Sequence, residues 1–159
     1  KKPNNIIPFL KKIFKNVSYK TISKQKLHSQ SISTHVGILA KRKKVREIIN
    51  ILQKKIIKKN KRICVEGRDI ASKILKKNPK YDYAFYFKCN LKTASYRRWK
   101  DLKKKVSLKE VEKTLRQRTI LDKSRKHSPL VKVKDAYLIR TDKLNKLQMI
   151  KKMSNIIER

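Results

Sequence analysis

Acidic residues are scarce in this sequence. Its 159 residues hold 11 Asp and Glu against 47 Lys and Arg, which gives a formal net charge of +36, and no acid precedes Glu47. A chain this basic attracts polyanions nonspecifically. The basic residues are nevertheless evenly spread, since residues 1–60 hold 17 of them. Lys, Ile and Asn are also the residues that an AT-rich coding sequence favours. Nucleic-acid binding and compositional drift therefore both stay open as explanations of the high positive charge.

Cysteine, glycine, proline and long apolar runs are scarce as well. Cys64 and Cys89 stand alone, without a CxxC or a His-rich neighbourhood, which argues against a zinc site or a disulfide framework and suits a reducing cytoplasm. The apolar run 6–10 is interrupted by Pro8 and is too short for a membrane span or a signal peptide. With 2 Gly, 4 Pro and no repeat, the sequence predicts one compact unit.

The apolar pattern predicts helices that alternate with short strands. Ser107 followed by Glu110 indicates a capping box, and Thr141 or Asp142 is expected to open the last helix. Strands separated by helices are typical of an α/β fold with a largely parallel sheet, whose ligands bind at the carboxyl ends of the strands. Helices are predicted at about 5–15, 31–40, 42–58, 92–104, 108–121 and 143–157, and strands at about 17–22, 62–66, 83–87 and 136–139.

Two charged clusters fall where such a fold binds ligands. The first is Glu66-Gly-Arg-Asp69, directly after a predicted strand; alternatively, it is a turn with a surface ion pair. The second is Arg118, Asp122 and Arg125, whose i, i+4 and i+7 spacing continues the apolar stripe of a helix. Arginine pairs bind phosphate well, whereas an Asp among them can accept from a sugar hydroxyl or a base amino group. The alternative is a solvated helix end.

Four motifs together resemble bacterial-type cytidylate kinases. They are Val65-Glu-Gly-Arg-Asp-Ile70, the helix that contains Val45-Arg46-Glu47 and ends in Gln53, Tyr96-Arg-Arg98, and Arg118-x-x-x-Asp122-x-x-Arg125-x-x-x-Pro129-Leu130. The resemblance covers roughly Leu27 to the C-terminus. It implies a P-loop nucleoside-monophosphate-kinase-like α/β fold, in which a parallel sheet has flanking helices. The N-terminal strand and the G-x-x-x-x-G-K-[ST] loop of that fold are missing from these residues.

The resemblance also implies a domain plan. Residues 1–159 would be a single partial domain, with a nucleoside-monophosphate-binding region at about 1–60. The remainder of the core would be 61–159, with a lid at about 91–106. The missing strand would lie between the counterparts of strands 62–66 and 83–87. We therefore expect the chain alone to be marginally stable or prone to aggregation.

Site residues follow from the same resemblance. Asp69 would accept from the exocyclic amino group of cytosine, which distinguishes it from uracil, and Arg46 would contact the same base. The monophosphate would be held by Arg68 and Arg125, and the sugar by Arg118 and Asp122. The lid would supply the catalytic arginines, which neutralise the transferring phosphoryl group; they are Arg97 and Arg98. Cofactor-binding residues are unassigned because the P-loop is missing, and no metal ligands are predicted.

The resemblance implies a cytoplasmic kinase that transfers the γ-phosphoryl group of ATP, with Mg²⁺, to CMP or dCMP and gives CDP or dCDP. It would have no membrane partner, would be a monomer when complete, and would be inactive as this chain alone. The alternatives are a basic nucleic-acid-binding protein or an inactive nucleotide-binding homologue on a kinase-like scaffold. Five residues depart from the family pattern, namely Gly37, Ala71, Ser72, Ala94 and Thr119.

Overall fold

The computed structural model describes residues 6–15, 39 and 42–159. It divides into two compact units, Lys1–Val65 and Glu66–Arg159. In the first unit, helix α1 (Ile6–Lys15) packs against helix α2 (Lys43–Lys58). Both helices lie within a residue of their predicted bounds. The predicted strand at 17–22 and nearly all of the predicted helix at 31–40 lie outside the described residues.

The second unit contains two strands and three α-helices. The order along the chain is strand β1 (Phe85–Lys88), helices α3 (Leu91–Asp101) and α4 (Leu108–Lys123), strand β2 (Tyr137–Arg140) and helix α5 (Lys146–Ile157). A five-residue turn with π-helical hydrogen bonding, Ile70–Ile74, precedes them. Across the described ranges, no helix is both long and apolar enough to cross a membrane.

The sheet is parallel, as the alternation of strands and helices predicted. Phe85 of β1 lies opposite Tyr137 of β2, with ring centroids 5.8 Å apart, and Phe87 lies opposite Ile139. Ile139 has no exposed surface, so this side chain anchors the core beneath the sheet. The two carboxyl ends, at Lys88 and Arg140, therefore lie side by side. The loops that leave these ends converge there, as parallel sheets require.

The predicted strand at 62–66 is wrong. Residues 63–67 have no regular secondary structure. A strand requires a backbone partner, and the sheet of the described residues consists of β1 and β2, neither of which pairs with this segment. An apolar segment such as 62–66 does not form a strand unless a second strand is available to pair with it.

Helices α3 and α4 form a helical hairpin (residues 91–123). The helix α3 ends at Asp101 rather than at 104, because Lys103 and Lys104 have left-handed backbone angles, with φ of 53° and 58°. The Trp99 indole N–H donates to the Val106 carbonyl at 2.9 Å, which holds the turn against the helix. Ser107 accepts from the Glu110 N–H, so this half of the predicted capping box is confirmed.

The start of α5 corrects another prediction. Its cap is Asn145, rather than Thr141 or Asp142, and Asn145 forms a reciprocal capping box with Gln148. The earlier residues are engaged elsewhere: the Thr141 N–H donates to the Lys88 carbonyl at 2.8 Å. Two hydrogen bonds at the capping box satisfy helix donors that would otherwise lack partners.

We expect Asn145→Ala to lower the free energy of unfolding by about 1 kcal/mol, the usual loss for an N-cap asparagine. Urea unfolding followed by far-UV circular dichroism measures it. Asn155→Ala is the matched control, because Asn155 is exposed inside the same helix, where alanine is the better helix former. The control should be neutral or slightly stabilising. Equal losses from the two variants would contradict a capping role for Asn145.

Candidate anion-binding site

Asp122 lies in the last turn of α4 and has no exposed surface. Val111, buried on the same helix, places that face against the core. After α4 the chain reverses at Ser128, whose φ of 60° lies in the left-handed region. The reversal allows the Leu130 N–H to donate to the Asp122 carbonyl at 2.7 Å, and this segment helps to cover the end of the helix.

Three arginines surround the Asp122 carboxylate. Arg125 Nη2 contacts its Oδ1, while Arg68 Nε and Arg118 Nε lie 3.4 Å and 3.9 Å from its Oδ2. We call Arg68, Arg118 and Arg125, together with Asp122, the arginine cluster. The Arg125 side chain is 13% exposed, whereas those of Arg68 and Arg118 are 43% and 47% exposed. The cluster therefore joins a buried carboxylate to guanidiniums that reach solvent.

The arginine cluster has more positive charge than one carboxylate balances. Burial lowers the pKa of Arg118 below its usual value, and repulsion from Arg68 lowers it further. Arg125 and Arg98 act in the same direction, whereas Asp122 acts in the opposite one. An anion bound here would relieve this repulsion and accept hydrogen bonds from planar guanidiniums. The arrangement thus favours a phosphate or a similar oxyanion.

Arg68 reaches the cluster from a tight turn. A Cβ on Gly67 would lie 2.6 Å from Cγ1 of Ile70, so a larger residue would displace that side chain. Asp69 directly precedes the π-helical turn Ile70–Ile74, and its carbonyl accepts from the N–H groups of Lys73 and Ile74 at 2.9 and 3.4 Å. This geometry brings the Arg68 side chain to Asp122. The next residue in the sequence, Asp69, is buried, with 8% of its surface exposed.

The structure brings together four of the predicted site residues, and the charge of a fifth, Arg98, lies close enough to affect the pKa of Arg118. Arg46 lies on α2 in the first unit. The predicted contacts of Arg46 and Asp69 with cytosine, and of Arg118 and Asp122 with the sugar, stay predictions.

Arg97 has a different environment from Arg98. Its Nη2 donates to the carbonyls of Thr141, Leu144 and Asp142, at 2.7, 3.1 and 3.4 Å. These carbonyls lie between β2 and α5, beyond the carboxyl end of the sheet. The catalytic role predicted for Arg97 and Arg98 stays a prediction, but Arg97 is bonded to these carbonyls, whereas the charge of Arg98 acts on Arg118.

Asn90 and Asp142 are a pair that the sequence analysis missed. The Asp142 carboxylate accepts from the Asn90 backbone N–H at 2.7 Å and from its side-chain amide at 2.6 Å. These bonds, the backbone one foremost, lower the pKa of Asp142. Asn90 also caps α3 by accepting from the Thr93 N–H. The available signal is the position of both residues just after predicted strands, where the sequence favours Asp142 as a helix cap.

The arginine cluster does not suit Mg²⁺. Among the described residues, no three His, Cys, Asp or Glu side chains gather as metal ligands. The carboxylate of the arginine cluster faces three guanidiniums, which would repel a cation. Any Mg²⁺ chemistry would depend on other groups.

Comparisons with known proteins agree on one family. The cytidylate kinase family model matches residues 9–159. The cytidylate kinase of Clostridium botulinum (strain Langeland / NCTC 10281 / Type F) is 34% identical over 131 residues, which cover 80% of this chain and 58% of that protein. The cytidylate kinase of Alkaliphilus oremlandii (strain OhILAs) is 31% identical over 137 residues, 84% of this chain and 61% of that protein. The chain thus spans about three fifths of the length of these curated relatives.

Proposed function

Because this chain belongs to the cytidylate kinase family, we propose that its protein transfers the γ-phosphoryl group of ATP to CMP or dCMP and gives CDP or dCDP. The observation that carries the proposal is the convergence of three guanidiniums on one buried carboxylate. A site with excess positive charge at the end of a helical hairpin suits the phosphate of a nucleoside monophosphate. A cytoplasmic place in pyrimidine nucleotide metabolism, and a monomeric state, are part of the same proposal.

The proposed roles follow from burial and charge. Arg125, mostly buried and fixed by Asp122, would hold the monophosphate together with Arg68. Arg118 is more exposed than Arg125 and would contact the sugar of the nucleotide. Asp122 would hold the arginines in position and contact the same sugar. Arg98, whose charge acts on Arg118, would attract the monophosphate and neutralise the phosphoryl group during transfer. Catalysis by such groups needs positioning and charge balance and no covalent intermediate.

Base selection is assigned to Asp69, while the predicted contact of Arg46 with the base stays a prediction. A carboxylate at Asp69 would accept from the cytosine amino group, whereas the carbonyl of uracil at that place would bring two acceptors together. The buried position of Asp69, directly after Arg68 of the cluster, supports this assignment. A phosphate held by Arg68 would keep the rest of the nucleotide near this turn.

Calorimetric titration with CMP, UMP and AMP tests the function. We expect CMP to bind at least about tenfold more tightly than UMP or AMP, and we expect Asp69→Ala to bring CMP and UMP within about twofold of each other. Asp82→Ala, which changes an exposed aspartate, should keep the preference. Equal affinity for all three nucleotides with a steep salt dependence would instead favour a nucleic-acid-binding protein. Unchanged selectivity in Asp69→Ala would refute the role of that residue.

A further inference from the structure

The guanidinium of Arg97 is occupied by protein acceptors. Besides the three carbonyls on its Nη2, its Nη1 lies 3.5 Å from the Thr141 hydroxyl and 3.9 Å from the Cys89 sulfur. The planar, multidentate guanidinium is suited to such a set of backbone acceptors, which lysine could not match. A group that already satisfies several loop carbonyls has little capacity left for a phosphate.

The same loop also holds the first turn of α3. Asp142 accepts two hydrogen bonds from Asn90, the residue that caps this helix. Asn90 and Arg97 are almost two helical turns apart, so α3 is attached to the segment after β2 at two separate points. Two attachments fix the position of a helix and also its rotation about its own axis. Ser95, between them, has no exposed surface, as expected for the packed face of the helix.

Rotation of α3 decides where Arg98 points. Consecutive residues of an α-helix lie about 100° apart around the axis, so Arg97 can face the loop while Arg98 faces elsewhere. Arg98 lies close enough to Arg118 for its charge to act on that guanidinium. Loss of the Arg97 bonds would remove one of the two attachments of α3 and let Arg98 shift relative to the arginine cluster.

We infer that Arg97 is a positioning residue that acts through Arg98: its bonds to the segment between β2 and α5 hold α3 in the rotation that presents Arg98 to the anion-binding site. The inference rests on the proposed function of that site. It separates two adjacent arginines into one that anchors the helix and one that faces the nucleotide.

A double-mutant cycle tests this inference. The affinity for CMP is measured by calorimetry for the wild type, Arg97→Ala, Arg98→Ala and the double variant. We expect each single variant to bind about tenfold more weakly, and the double variant to bind no more weakly than Arg98→Ala alone. Arg97→Lys retains the charge but not the planar fork, so it should recover only part of the loss. A double variant whose loss is the product of the two single losses would overturn the inference, as would wild-type affinity in Arg97→Ala.

Two controls separate this result from a loss of stability and from failure of the site itself. Ser107→Ala removes the cap of α4 without touching Arg97, so it should lower stability and leave CMP affinity unchanged. The fluorescence of Trp99, the single tryptophan, verifies that each variant is folded during the titration. If Arg125→Ala loses affinity while the cycle is additive, only the inference about Arg97 is wrong. If neither Arg125→Ala nor Arg98→Ala loses affinity, the proposed site is wrong and the inference is wrong with it.

Discussion

Replacement of Asp122 by asparagine should lower the free energy of unfolding by about 3 kcal/mol. The carboxylate has no exposed surface and is the common partner of three arginines, so its loss leaves their charges unbalanced. Removing one member of a buried ion pair typically costs about 3–5 kcal/mol. Urea unfolding followed by the fluorescence of Trp99, which lies in the same compact unit, measures the change.

Glu112→Gln is the matched control for Asp122→Asn. Glu112 lies on the same helix and pairs with Arg116 at 3.6 Å, but that pair is largely exposed. Its loss should change stability by no more than about 0.5 kcal/mol. The loss of unfolding free energy caused by Asp122→Asn should also be smaller at about 1 M salt. The Debye length there is about 3 Å, so repulsion between the exposed arginines is screened. Equal penalties for the two variants would show that Asp122 does not balance the cluster.

Replacement of Arg125 by alanine should weaken the binding of any nucleoside monophosphate by about 30-fold. This factor corresponds to about 2 kcal/mol, within the range of hydrogen bonds to charged groups. The loss should be similar for CMP and UMP, because the phosphate is common to both. Calorimetry or competition with inorganic phosphate measures it. A loss confined to CMP would contradict a phosphate contact and indicate a base contact.

Arg116→Ala is the control for Arg125→Ala. Arg116 lies on α4, the helix that carries Asp122, but its side chain is 66% exposed and pairs with Glu112 instead of Asp122. Its removal lowers the net charge by the same amount and should leave nucleotide affinity unchanged. Arg125→Lys should retain an intermediate affinity, because a lysine keeps the charge but loses bidentate geometry. If Arg116→Ala weakened binding as much as Arg125→Ala, general charge attraction would explain the effect.

The sequence predicted the five helices of the described ranges and two of the three strands, β1 and β2, to within about three residues at each end. Apolar spacing and polar caps are local, so α1, α2 and α4 could be placed within about two residues. The strand prediction at 62–66 failed because a strand depends on a partner that its own sequence does not specify. The start of α5 failed for a related reason, since Thr141 and Asp142 resemble caps but bond instead to Lys88 and Asn90.

Of the three charged residues predicted on one helix face, Arg125 lies beyond the end of α4 at Lys123, although it still contacts Asp122. The sequence by itself determined only that Arg118 and Asp122 share a face of this helix, because their spacing follows from the helical period. It could not place Arg68 on the same carboxylate, more than fifty residues away, since that contact depends on how a turn and a helix pack. Arg97 and Arg98 are the clearest case. The sequence predicts one role for these two identical neighbours, but the tertiary structure bonds Arg97 to loop carbonyls and brings the charge of Arg98 to bear on Arg118, because consecutive helix residues face different directions.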